Sequence, residues 1–117
     1  MIIDDNQSIT TMVSKYLSLK ENKCTVSNSG KEGLEMILQN EYDVIILDIS
    51  MPEFTGKDIV EYLNENNTLQ GKNIVLFTAS AISTEEIDKM IKKGVKGALR
   101  KPVDLEQLDN MLAKFKK

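Results

Sequence analysis

The sequence predicts an α/β fold: a five-stranded parallel sheet, doubly wound, with helices on both faces. Three observations carry the prediction. Residues 44–47 and 74–77 are uninterrupted runs of bulky apolar side chains, the pattern of central strands covered on both sides. Apolar residues spaced at i, i+3 and i+4 mark helices that alternate with these and with shorter apolar runs, so that strand then helix recurs five times. Turn and capping residues stand at the junctions. Such alternation implies parallel strands joined by right-handed crossovers.

In chain order, Ile2 and Ile3 form a short buried strand that stops at Asp4, Asp5 and Asn6, residue types that favour turns and helix N-caps. Ile9, Met12, Val13, Tyr16 and Leu17 place one apolar stripe on a helix that runs to about Leu19. Residues 24–27 read as a second brief strand, with Cys24 as buried packing. Ser29 and Glu32 suit a capping box for a second helix carrying Leu34, Ile37 and Leu38. The third strand, 44–47, ends in Asp48; Pro52 and Gly56 mark the loop beyond it, and Ile59, Tyr62 and Leu63 supply the inward stripe of a third helix. Residues 64–71 read as a polar connection. The fourth strand, 74–77, runs into Thr78, Ala79 and Ser80. Ser83 and Glu86 suit a second capping box before a helix with Ile87, Met90 and Ile91, which has Lys92 and Lys93 in its last turn and Gly94 as its stop. A fifth strand over 97–99 leads to Lys101 and Pro102, and Asp104 caps a last helix whose Leu108, Met111, Leu112 and Phe115 face the core.

At 117 residues the chain fits one domain, 1–117. Hydrophobic residues at 41% and charged residues at 28% exclude intrinsic disorder as the default reading. No apolar run approaches the roughly 20 residues that cross a bilayer, and the first residues lack a signal-peptide pattern, so no membrane partner and a cytoplasmic location are expected. A net charge of −3 disfavours direct nucleic-acid binding through phosphate neutralisation. The sequence has no histidine and one cysteine, which removes Ser-His and Cys-His catalytic pairs and any internal disulfide. It also removes the commonest ligand of zinc. A metal bound here is therefore expected to be a hard cation held by oxygen, Mg²⁺ above all, with Mn²⁺ able to substitute.

Open parallel sheets bind ligands beyond the carboxyl ends of their strands. Here those ends carry Asp4 and Asp5, Asp48, Thr78 and Lys101. Carboxylates brought together raise one another's pKa unless a cation compensates them, so the set makes sense as a Mg²⁺ site completed by water and a backbone carbonyl. A lysine and a hydroxyl nearby would bind the oxygens of a phosphoryl group. Each residue also has a plainer reading: Asp5 or Asn6 as a helix cap, Asp48 as a turn residue, Lys101 as a surface lysine, Thr78 as a strand former.

Taken in order and at strand ends, Asp4-Asp5-Asn6, residues 44–47 with Asp48-Ile49-Ser50-Met51-Pro52 and Gly56, Phe77-Thr78-Ala79-Ser80, and Lys101-Pro102 resemble the response regulator receiver domain of two-component signalling. The resemblance covers essentially the whole chain. It implies a flavodoxin-like (βα)5 fold with strand order 2-1-3-4-5. It implies that Asp48 is the phosphoacceptor, that Asp4, Asp5, Asp48 and the backbone carbonyl of Ser50 hold Mg²⁺, and that Lys101 and Thr78 bind phosphoryl oxygens. Ala79 would leave room beside Thr78, and a cis Lys101-Pro102 bond would aim the lysine inward. The implied partners are a histidine kinase or phosphotransfer protein upstream and a protein target downstream. Such a domain catalyses only its own phosphorylation and dephosphorylation and is a switch before it is an enzyme.

The chain departs from the family pattern in two places. Ala98 stands three residues before Lys101, where the family commonly has a tyrosine or phenylalanine that reports phosphorylation to the partner-binding face. Only Met1 to Ile3 precede the acidic pair, fewer than the family normally has. Lys92, Lys93, Lys96, Arg100, Lys114, Lys116 and Lys117 gather on the last two helices and the strand between them; helix-dipole complementation and solvation explain them more simply than an acidic partner does. The loss at Ala98 motivates a competing reading, a receiver-like interaction module independent of phosphorylation. A phosphohydrolase with an aspartyl nucleophile is disfavoured because Ser50 stands where its acid would be, two residues after Asp48. No Gly-rich phosphate loop is present. The chain reaches Lys117 with its fifth helix, so output is expected to pass through another protein.

Overall fold

The computed structural model describes residues 1–49, 51, 54–78, 83–101 and 104–115. Its elements run β1 (Ile2–Ile3), α1 (Gln7–Leu19), β2 (Val26–Ser27), α2 (Gly30–Gln39), β3 (Ile45–Asp48), α3 (Gly56–Glu65), a 3₁₀ turn (Leu69–Gly71), β4 (Ile74–Thr78), α4 (Thr84–Lys93), β5 (Gly97–Arg100) and α5 (Leu105–Ala113). All five strands are parallel, in the order β2-β1-β3-β4-β5. This is the fold class and strand order expected from the sequence.

The apolar runs lack alternation because both faces of the sheet are covered. Successive residues of a strand point to opposite sides. Ile3, Ile45, Leu47 and Leu76 therefore pack with α2, α3 and α4 residues such as Ile37, Ile59, Leu63 and Met90. Ile2, Ile46, Val75 and Phe77 pack with Val13 and Leu17 of α1 and with Leu108 and Leu112 of α5. Full burial of each such side chain contributes about 1.5–3 kcal/mol.

Four residues read as inward-facing are not. Met12, Leu38, Tyr62 and Ile91 are 42%, 48%, 41% and 42% exposed. The face that a helix lays on a flat sheet is narrower than its apolar stripe, and a residue one step off it turns about 100° toward water. In α3 the buried set is Gly56, Ile59, Val60 and Leu63, so Val60 takes the inward place assigned to Tyr62, whose hydroxyl gains from solvent.

The caps also differ in detail. Asn6 and Asp104 cap α1 and α5 as expected, each accepting from two backbone N–H groups. Ser29 and Ser83 accept from Glu32 and Glu86 backbone N–H at 3.4 and 3.2 Å, but neither acid returns a bond to complete a box. The Glu86 carboxylate instead pairs with Lys57 at 3.1 Å. The complete box belongs to Thr55 and Asp58: Asp58 N–H donates to Thr55 Oγ1 at 3.2 Å, and Thr55 N–H donates to Asp58 Oδ2 at 2.9 Å. The stretch 64–71 is not merely a polar connection, since Leu69 is 1% exposed and packs into the core beneath the 3₁₀ turn. Cys24 is half-buried against the α1/α5 core, ahead of the two residues that pair as β2. Among the described residues, no helix is long and apolar enough to cross a membrane.

Gly56 begins α3 where no side chain fits. A Cβ there would lie 2.3 Å from the Asp48 carbonyl oxygen and 2.8 Å from Ile49 Cα, both backbone atoms that cannot step aside. Gly56→Ala is expected to destabilise the fold by about 1–3 kcal/mol, as overpacking does, seen as a lower urea midpoint at unchanged slope; an unaltered midpoint contradicts this close approach.

Candidate functional site

The carboxyl ends of β1, β3, β4 and β5 carry the chain's convergent polar groups. Asp4 leaves β1 with its N–H donating to Ser27 O at 3.1 Å, one more rung of the ladder to β2. Its Oδ1 accepts from Asn6 N–H at 2.9 Å, which folds the chain back into α1. Asp5 follows and is exposed. Asp48 ends β3 opposite Phe77 and is held between β1 and β4 at the middle of the sheet, 2% exposed. Thr78 ends β4 and is 1% exposed, and its carbonyl oxygen accepts from Lys101 N–H at 2.7 Å. That bond continues the β4–β5 ladder past Arg100 and sets where the Lys101 side chain starts.

One carboxylate oxygen from each of Asp4, Asp5 and Asp48 lies within 4.8 Å of the others. The Lys101 ammonium lies 3.0 Å from Asp4 Oδ2 and 3.5 Å from Asp48 Oδ2. It also sits 5.2 Å above the Phe77 ring centroid, where the ring's negative face favours a cation. Burial alone would lower the Lys101 pKa; the facing Asp4 and Asp48 carboxylates outweigh that, and the ammonium titrates above its ordinary 10.5. The structure thus brings together the sequence-predicted Asp4, Asp5, Asp48 and Lys101, and places Thr78 on the neighbouring strand end. Ser50, whose carbonyl was expected to help hold a metal, lies outside the described residues, as do Pro52, Ala79, Ser80, Pro102, Lys116 and Lys117.

The donor set fits a hard divalent cation. Among the described residues, Asp4 Oδ2 is buried and is met by the Lys101 ammonium as an ion pair at 3.0 Å, with no further hydrogen-bond donor. A buried carboxylate oxygen in that state is costly unless charge compensates it. One ammonium beside three carboxylates leaves a local excess of negative charge that a cation with oxygen ligands relieves. A cavity of about 210 Å³ opens beside Asp5, lined by Asn28, Ser29, Lys31, Met51 and Phe54.

Two residues at this site escaped the sequence reading. Phe77 looks like core from its strand pattern, yet its ring also meets Lys101. Asn28 donates from Nδ2 to the Asp4 carbonyl oxygen at 2.7 Å. The rule that found the other residues also covers Asn28, the polar residue directly after β2, the one strand end left out. Of the basic residues, Lys92 and Lys93 complete the final turn of α4, and Lys96, between α4 and β5, donates to Gly94 O at the α4 C-cap at 3.3 Å and to Gln70 O in the 3₁₀ turn at 3.0 Å. Ala98 is opposite Leu76 and partly buried against the α3/α4 side of the core.

Comparison with known proteins bears on the family and the fold. The family described as the response regulator receiver domain matches residues 1–113. Response regulator SaeR of Staphylococcus aureus is 31% identical over 123 residues, covering 100% of this chain and 51% of SaeR. Signal transduction histidine-protein kinase BarA of Escherichia coli is 27% identical over 116 residues, covering 99% of this chain and 12% of BarA. The chain thus spans about half of SaeR or less of these relatives' length. Among solved structures, chemotaxis protein CheY4 of Vibrio cholerae superposes with a TM-score of 0.84 at 28% identity, covering 98% of this chain and 95% of that one. The Francisella response regulator 1452 receiver domain gives 0.83 at 27%, covering 98% and 96%.

The Lys101 ion pairs give a pH prediction. A lysine pKa raised by folding adds stability that is fully present below its ordinary 10.5 and is lost as pH climbs through the folded value. Wild-type urea midpoints are therefore expected to fall above about pH 10.5, and the Lys101→Met variant is expected to lack part of that fall. Exposed Lys20, whose pKa is raised by Tyr16 and Asp109, acts with the same sign in both proteins and cancels in the comparison. Parallel pH profiles for the two proteins contradict the pairing.

Proposed function

The chain belongs to the response regulator receiver family, and from that membership and the site's geometry we propose that Asp48 accepts a phosphoryl group in a Mg²⁺-dependent reaction that switches partner binding. The observation that carries this reading is the cluster itself: three carboxylates with oxygens within 4.8 Å, two of them nearly water-free, and one ammonium reaching Asp48 at 3.5 Å.

Asp4, Asp5 and Asp48 would hold the cation, with the Ser50 carbonyl as a further ligand. Bound there, Mg²⁺ neutralises charge on the phosphoryl oxygens and on the carboxylates. The chain's own groups do the rest. An Asp48 carboxylate oxygen attacks phosphorus in line while the bond from phosphorus to the donor's nitrogen or oxygen breaks, and the leaving group departs with that electron pair. Asp48 becomes an acyl phosphate. The Lys101 ammonium exchanges part of its pairing with Asp48 for a phosphoryl oxygen, and the Thr78 hydroxyl donates to another. Positioning and charge compensation supply most of the acceleration, so no separate general base is needed.

The physiological donor is a histidine kinase or phosphotransfer protein, and the output is a downstream protein rather than nucleic acid or membrane. We place the domain in the cytoplasm, where such donors present their phosphohistidine. Hydrolysis of the Asp48 adduct resets the switch, and no other substrate is turned over. Ala98 favours a second reading, an interaction module whose binding ignores phosphorylation; the intact Asp4, Asp5, Asp48, Thr78 and Lys101 favour the first.

Incubation with Mg²⁺ and acetyl phosphate is expected to add the mass of one phosphoryl group, labile to base and hydroxylamine, and to add none in Asp48→Asn or in chelator. Wild type that stays unmodified under these conditions, yet binds Mg²⁺, supports the second reading. In a separate titration, Mg²⁺ at tenfold its Kd is expected to raise unfolding stability by about 1.4 kcal/mol, an increment that Asp48→Asn should largely lose.

A further inference from the structure

We propose that Asn28 is a positioning residue of the cation site, a clamp on the peptide between Asp4 and Asp5 that keeps the Asp5 carboxylate turned toward Asp4 and Asp48. The inference rests on the acidic cluster being a cation site.

Asn28 follows β2 and is half-buried. Its Nδ2 donates one proton to the Asp4 carbonyl oxygen at 2.7 Å and the other to Thr10 Oγ1 at 3.1 Å. Because a backbone carbonyl only accepts, the amide nitrogen must face Asp4. Thr10 is 2% exposed, and its hydroxyl donates to Gln7 O at 3.2 Å, which leaves a lone pair for Asn28. One side chain thus joins the end of β1 to the first turns of α1, on either side of Asp5.

The peptide plane explains why this matters. The Asp4 carbonyl and the Asp5 N–H belong to one rigid unit, so holding the carbonyl sets the direction in which the Asp5 Cα leaves it. Asp4 N–H is held as well, by Ser27 O at 3.1 Å. Asp4 and Asp48 are locked by burial, whereas Asp5 is exposed and has water to turn into. Like-charge repulsion pushes it that way in the absence of a cation. With the Asp4–Asp5 peptide fixed on one side of Asp5 and Asn6 N–H held by Asp4 Oδ1 at 2.9 Å on the other, Asp5 keeps little backbone freedom, and less conformational entropy is lost when a cation gathers the three carboxylates. Asn28 itself needs no contact with the ion. Partners that orient metal ligands in this way commonly govern affinity by a factor of ten or more.

The test is direct titration of Mg²⁺, and of Mn²⁺ by its paramagnetic signal, into wild type and Asn28→Ala, each shown by circular dichroism to be natively folded. Asn28→Ala is expected to bind both ions roughly tenfold more weakly. Thr10→Val, which keeps the bond to Asp4 but frees the other arm of the clamp, is expected to fall between the two. Affinity within twofold of wild type in Asn28→Ala overturns the inference. If Asn28→Ala does not fold, Thr10→Val decides: binding weakened roughly threefold or more supports the inference, and affinity equal to wild type overturns it. A wild-type chain that binds neither ion overturns the cation-site reading instead, so the two failures are distinguishable.

Discussion

Asp4 and Asp48 are carboxylates taken almost wholly out of water, and the Lys101 ammonium stands against both at 3.0 and 3.5 Å. Burying a carboxylate costs several kcal/mol unless opposite charge or hydrogen bonds offset it. This constraint governs the rest of the structure. It demands that β1 and β3, far apart in sequence, end at one level and that β5 deliver a cation there, and it leaves a surplus of negative charge once the lysine is in place. The surplus makes the arrangement receptive to a divalent ion, and it is on this charge balance that the proposed role of Asp48 as phosphoacceptor rests.

The fold meets the demand by being rigid where the charges meet. Both faces of β3 and β4 are sealed by apolar residues, so Asp48 and Thr78 project from a base that cannot shift without opening the core. Gly56 lets α3 begin against the Asp48 carbonyl itself, and the Thr55–Asp58 box fixes that helix's first turn. Asn28 ties the loop between β1 and α1 to the end of β2. Among the described residues the elements around the site share one arrangement: the backbone at Asp4, Ile49 and Lys101 is bonded to a neighbouring strand as the chain leaves the sheet.

The proposed switch would have to work without the aromatic ring that the family resemblance implies at position 98. Ala98 provides no ring to rotate between buried and exposed positions, and its small side chain packs on the α3/α4 side of the core. Thr78 and Lys101 remain joined through the backbone at 2.7 Å, and Lys57 and Glu86 connect the first turns of α3 and α4. That last pair is exposed and is worth at most about 1 kcal/mol.

The order of elements, the two central strands, the parallel sheet and the strand-end residues were legible in the sequence, because periodicity, apolar runs and helix caps are encoded within a few residues of each other. The acidic pair, Asp48 and Lys101 stood out for the same reason, as polar groups directly after apolar strands. Other features depend on partners distant in the chain. Met12, Leu38, Tyr62 and Ile91 face water because the sheet covers a narrower strip of helix than the apolar pattern suggests. Glu86 leaves its expected cap for Lys57, and Asn28, a strand-end residue by its sequence, meets Asp4 and Thr10, partners that its sequence does not name. Local chain chemistry determined which residues lie at strand ends; only through-space packing decided which of them touch, since no residue's own neighbourhood in sequence carries the distance to a group 20 or more positions away.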